Sequence, residues 1–126
     1  VFFFCLLAFP VYRKHADMVS LKQAMIVLER GCIFGIFPEG RRSITGELDT
    51  FEKGAAFLAL RCNAPIIPVY ADPDWKKHKK IRMIVGEAID VNQIADARAG
   101  RGVDAVTEAI RDRMQALKNE MELELK

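Results

Sequence analysis

Two short apolar runs separated by a helix-length segment constrain this chain more than any other feature. Residues 32–37, Cys-Ile-Phe-Gly-Ile-Phe, are continuously apolar and are bounded by Pro38 and Gly40. So short a run, with no polar alternation, reads as a strand buried on both faces, as parallel strands are. Residues 66–71 form a second run, and between the two, residues 52–61 carry a helical pattern stopped by Asn63 and Pro65. Strand, helix, strand is the parallel crossover unit. The expected fold is therefore α/β, with a mostly parallel central sheet flanked by helices.

Other segments fit that frame. Residues 9–12 read as a short strand and residues 13–16 as a polar connection. Ser20-Leu21-Lys22-Gln23 has capping-box spacing, which predicts a helix start at Ser20. Leu21, Ala24, Met25 and Leu28 then make one apolar stripe, and Gly31 is placed to end the helix in the left-handed conformation. Residues 38–50 read as a loop, 80–85 as a further strand, Gly86-Glu87 as a turn and 99–102 as a flexible link. The last segment is a helix whose apolar stripe is Val103, Val106, Ile110, Met114, Leu117 and Met121. Its end, with Glu120, Glu122, Glu124 and Lys126, is polar and expected to fray.

A chain of 126 residues, 51% hydrophobic, suffices for one buried core and is short for two, so residues 1–126 read as a single domain. The first residue is Val, and an apolar run over residues 1–9 opens the chain without a basic segment or turn before it. The expectation is a fold met part-way through, incomplete at its N-terminus. That run is far shorter than the ~20 apolar residues of a membrane-spanning helix, and no signal-peptide cleavage pattern follows it. Two readings stay open for Phe2, Phe3, Phe4, Leu6 and Leu7: a buried helix, or a patch lying on a membrane. Cys5, Cys32 and Cys62 show neither zinc spacing nor a disulfide framework, which points to a reducing, cytoplasm-facing compartment. No metal-ligand spacing is present. Net charge is +2, too small for a nucleic-acid partner. Lys76, Lys77, His78, Lys79 and Lys80 nevertheless form a dense basic run beside Trp75. It suits either anionic lipid or a phosphorylated ligand, or is a solvated loop.

The chemistry concentrates in Phe37-Pro38-Glu39-Gly40-Arg41-Arg42-Ser43, at the end of the first apolar run. Ligands in open α/β sheets bind beyond the carboxyl ends of strands. Pro38 ends the ladder by lacking a donor, and Gly40 permits close backbone approach or positive φ. Arg41 and Arg42 offer planar forks of donors suited to phosphate oxygens, Ser43 adds a hydroxyl, and Glu39 can hold one guanidinium in place. The bland reading of the same residues is a surface ion pair at a turn.

The literal string resembles the Phe-Pro-Glu-Gly-x-Arg-Ser hallmark of the lysophosphatidic acid acyltransferase family, within the glycerophospholipid acyltransferases. Gly46, Phe51-Glu52-Lys53-Gly54-Ala55 and Ile66-Ile67-Pro68-Val69 also resemble family segments. So do Phe9-Pro10-Val11-Tyr12-Arg13 and Val85-Gly86-Glu87-Ala88-Ile89, the latter with Ala88 where the family usually has Pro. The resemblance covers the chain from about Phe9 to the last helix, with the motifs in family order. It implies transfer of a fatty acyl group from acyl-CoA or acyl carrier protein, as co-substrate rather than cofactor, to lysophosphatidic acid or a related glycerol-phosphate acceptor. It implies acceptor contacts from Arg13, Glu39, Gly40, Arg42 and Ser43, with Arg41 at the motif's variable position, and a location at the cytoplasmic face of a membrane.

Attack of an alcohol on a thioester needs a base at the hydroxyl and a group orienting that base, for which the family uses His-x-x-x-x-Asp. Neither His15 nor His78 has a carboxylate at that spacing. The resemblance thus implies no catalytic residue in this segment, with the base motif lying upstream of residue 1, or else a non-catalytic binding module that keeps the phosphate cradle.

Overall fold

The computed structural model describes residues 18–38, 53–97 and 102–125. The chain groups into two compact units, Val1–Ile36 and Phe37–Lys126. The expected strand at 9–12 and connection at 13–16, with most of the 38–50 loop and of the 99–102 link, lie outside the described residues.

In the first unit, α1 spans Met18–Glu29. Ser20 therefore already has helical backbone and lies buried in the first turn. The capping-box reading is corrected, since a capping residue sits just outside the helix. The apolar stripe holds: Ala24 is buried, and Leu21, Met25 and Leu28 are half-buried. Gly31 has φ +77°. Its N–H donates to the Leu28 carbonyl at 3.0 Å, and the Cys32 N–H donates to that of Val27 at 3.1 Å. These are the two bonds of a Schellman end, made without strain because glycine has no Cβ.

Residues 32–37 form no strand, and Ile33 is 98% and Phe37 87% exposed. The expected doubly buried strand is corrected here. An apolar run becomes a strand only when it joins a ladder with a second strand, and among the described residues 32–37 join none.

The second unit holds α2 (Gly54–Cys62), β1 (Val69–Ala71), α3 (Trp75–His78), β2 (Met83–Val85), α4 (Val91–Ala97) and α5 (Gly102–Glu124). α2 ends as α1 does. Asn63 takes the left-handed conformation, its N–H reaching Leu60 while the Ala64 N–H bonds Ala59 at 2.9 Å. Strands β1 and β2 pair antiparallel, with Val69 opposite Val85, Tyr70 opposite Ile84 and Ala71 opposite Met83. An isolated antiparallel bridge joins Ile66 to Ile89. Among the described residues the sheet is this antiparallel pair, so the α and β elements are present without the expected parallel order.

The long helix α5 organises the unit, packing against α2, α4, β1 and β2. Val106, Ile110, Met114, Leu117 and Met121 are buried, and Val103 is half-buried, as the helical spacing predicts. With Ala56, Ala59, Tyr70, Ile89 and Val91 they form one core. Each large side chain taken fully from water there contributes about 1.5–3 kcal/mol before conformational entropy is subtracted. The acidic end stays helical to Glu124, which narrows the expected fraying.

Candidate functional site

Arg13, Glu39, Gly40, Arg41, Arg42 and Ser43 all lie outside the described residues. The structure shows the approach to the motif and the element that follows it. Exposed Phe37 and half-buried Pro38 lead in, and neither belongs to a strand. Downstream, Lys53 stands at the start of α2, its Nζ 2.8 Å from the Asp104 Oδ1 in the first turn of α5. That turn favours an acid, because the free amides of a helix start carry partial positive charge. The hydrogen bond to Asp104, then its negative charge, raises the Lys53 pKa above 10.5. Lys53 thus forms a solvent-exposed ion pair between the start of α2 and the first turn of α5.

Two of the family-like segments come together. The Ile66 N–H donates to the Ile89 carbonyl at 3.1 Å, the Ile89 N–H to that of Ile66 at 2.7 Å, and the Gly86 N–H to that of Pro68 at 2.8 Å. Gly86 is needed for this approach. A Cβ added there would lie 2.9 Å from the Pro68 Cγ and 3.2 Å from the Leu117 Cδ1. These segments therefore build the scaffold with backbone bonds and close packing.

Asp72 shapes the connection that carries the basic run. It is buried, its Oδ1 accepts the Asp74 N–H at 2.8 Å, and its own N–H donates to the Arg82 carbonyl at 2.9 Å. This is an Asx turn, legible in Asp72-Pro73-Asp74 though not read from it above. It places a helical turn, α3, where a loop was expected, and Lys79 leaves that turn with φ 53°. His78 belongs to α3, whereas His15 lies outside the described residues. Among the described residues no three His, Cys, Asp or Glu side chains cluster as metal ligands, and no helix is long and apolar enough to cross a membrane.

Comparison with known families decides the kinship. The Acyltransferase family model matches residues 2–72, more than half of the chain and inclusive of Phe37-Pro38-Glu39-Gly40-Arg41-Arg42-Ser43. The chain belongs to the acyltransferase family. This acyltransferase chain is 32% identical over 120 residues to the 1-acyl-sn-glycerol-3-phosphate acyltransferase of Bacillus subtilis, a match covering 91% of the chain and 59% of the relative. It is 39% identical over 49 residues to the chloroplastic 1-acyl-sn-glycerol-3-phosphate acyltransferase BAT2 of Brassica napus, over 39% of the chain and 14% of the relative. A human 1-acyl-sn-glycerol-3-phosphate acyltransferase beta is 50% identical over 34 residues, 27% of the chain and 12% of the relative. The acyltransferase chain thus spans about three-fifths of its Bacillus relative. No solved structure gives a significant match.

Proposed function

We propose that this acyltransferase chain is the acceptor-binding part of an enzyme that moves a fatty acyl group from acyl-CoA or acyl carrier protein to lysophosphatidic acid or a related glycerol phosphate. The observation that carries the reading is the 32% identity to the Bacillus 1-acyl-sn-glycerol-3-phosphate acyltransferase, sustained over 91% of the chain. In this reading the acceptor hydroxyl gives its proton to a histidine while its oxygen attacks the thioester carbonyl. The C–O bond forms, the C–S bond breaks, and the proton leaves on the departing thiol. Arg42, with Arg13, meets the acceptor phosphate, Glu39 orients a guanidinium, and Gly40 lets backbone come close to the ligand. Ser43 adds a donor, and Arg41 adds charge at the rim. No cofactor or metal is required.

In this reading the histidine and its aspartate are supplied from outside these 126 residues, within which no His-x-x-x-x-Asp occurs. Completion of a parallel sheet by residues 32–37 belongs to the same reading, as do the cytoplasmic face of a membrane and a membrane-borne acceptor. The test is acyl transfer to lysophosphatidic acid by the longer protein, with acyl-CoA and acyl carrier protein donors run in parallel, beside its Arg42→Ala variant. Turnover with either donor, a raised acceptor KM in the variant, and none from the 126 residues alone are expected. A folded longer protein that binds lysophosphatidic acid and turns over with neither donor would overturn the transferase in favour of a binding module.

A further inference from the structure

The β1–β2 sheet has two apolar faces, of which α5 covers one. Tyr70 and Ile84, opposite each other in the register, turn into the core. Their neighbours alternate to the other side, where Val69 and Ala71 are exposed, Met83 is 60% exposed and Val85 66%. The same alternation extends beyond the strands to exposed Ile67 and to Ile81, which is 73% exposed. A solvated sheet face normally carries polar residues at these positions. These six are apolar, a pattern that marks an interaction surface, while the same alternation past Val85 reaches exposed Glu87, at the end of the face away from the basic connection.

The charge beside this face identifies the cover. The β1–β2 connection carries Lys76, Lys77, Lys79, Lys80 and Arg82, with no acid from residue 76 to residue 82. Lys77, Lys79, Lys80 and Arg82 are exposed. The Asx turn at Asp72 and the left-handed backbone at Lys79 fold this run back between the two strands, at one end of the apolar face. We infer that the free face of the β1–β2 sheet docks on an anionic lipid surface, its apolar side chains entering the headgroup boundary and the lysines meeting lipid phosphates. Long lysine stems suit this placement, since they lie along apolar ground while their ammonium groups stay at the polar level. Each such cation near an anionic leaflet adds attraction that salt screens. The inference stands apart from the transferase reading, because a binding module without turnover would dock in the same way.

Vesicle sedimentation tests it, with Trp75 as the second readout. Trp75 is the one tryptophan of the chain and opens the basic connection in the sequence, so its emission is a readout local to that run. The chain is expected to pellet with phosphatidylglycerol–phosphatidylcholine vesicles and not with pure phosphatidylcholine, while Trp75 emission shifts to the blue. Combined Lys77→Gln, Lys79→Gln and Lys80→Gln should weaken binding more than about tenfold with the helical circular dichroism unchanged. Met83→Asp with Val85→Asp should do the same. Vesicle binding that leaves Trp75 emission unmoved would overturn the inference in favour of another surface. A dimer that Met83→Asp with Val85→Asp dissociates would make a second copy the occupant, and equal binding by the lysine variant would remove the charge argument.

Discussion

Residues 32–37 and 66–71 are alike in length and apolar character, yet their fates in the structure differ. The second run lies alongside residues 83–89, with backbone bonds at Ile66, Pro68 and the β1 positions and α5 across one face. The first joins no ladder among the described residues, and Ile33 is almost wholly solvated. Hydrophobicity makes a segment competent for burial in a sheet, but hydrogen-bond partners and a covering element decide whether it is one. For 66–71 both arrive from nearby in sequence.

The sharpest way to break this contrast is to truncate one side chain in each region. Ile110→Ala empties the layer that covers the paired run and should cost about 2–5 kcal/mol in urea unfolding, whereas Ile33→Ala should stay within about 0.5 kcal/mol. Equal losses would mean that the exposed run is held as firmly as the buried one. A smaller effect is expected at the seam of the paired run. Gly86→Ala forces a Cβ against the Pro68 ring and Leu117 and should destabilise by about 1–3 kcal/mol. An unchanged midpoint would show that the seam yields easily.

The smallest effect concerns the Lys53–Asp104 pair, which ties α2 to the α5 that shelters the paired run. Both side chains are well exposed, so solvent screens them. Because the partner raises the Lys53 pKa, any stabilisation is fully present below pH 10.5 and is lost as pH climbs through the raised value. Lys53→Gln should therefore leave neutral-pH stability within measurement scatter and flatten the alkaline limb of a stability–pH profile. A marked loss at neutral pH would give the pair a larger role than its exposure allows.

Helical features proved the most legible, because their cues are local. Gly31 ends α1 and the 103–121 stripe of α5 is buried, both as the spacing demands. The helix α4 went unread, although Asp90 accepts the Asn92 N–H at 3.0 Å just before it and Val91 and Ile94 both turn to the core. The helix is short, and two apolar positions make a faint period beside the turn signals around them. The parallel sheet expected from residues 32–37 and 66–71 is not found among the described residues, for a different reason. A crossover and a hairpin-like return begin from the same apolar run, and only the partner, which composition does not name, separates them. At the candidate site, kinship was legible from the literal motif, whereas the geometry of Glu39 to Ser43 lies outside the described residues.

The place of α5 in the chain also carries a consequence for biosynthesis. Everything in the second unit that α5 touches is made before it: α2, both strands and α4. A ribosome extends the chain at about 5–20 residues per second, so for some seconds the open strands and the apolar side of α2 wait in solution for the helix that closes them. The core of this unit cannot close before α5 has been made. During that interval its apolar surfaces are most exposed to aggregation.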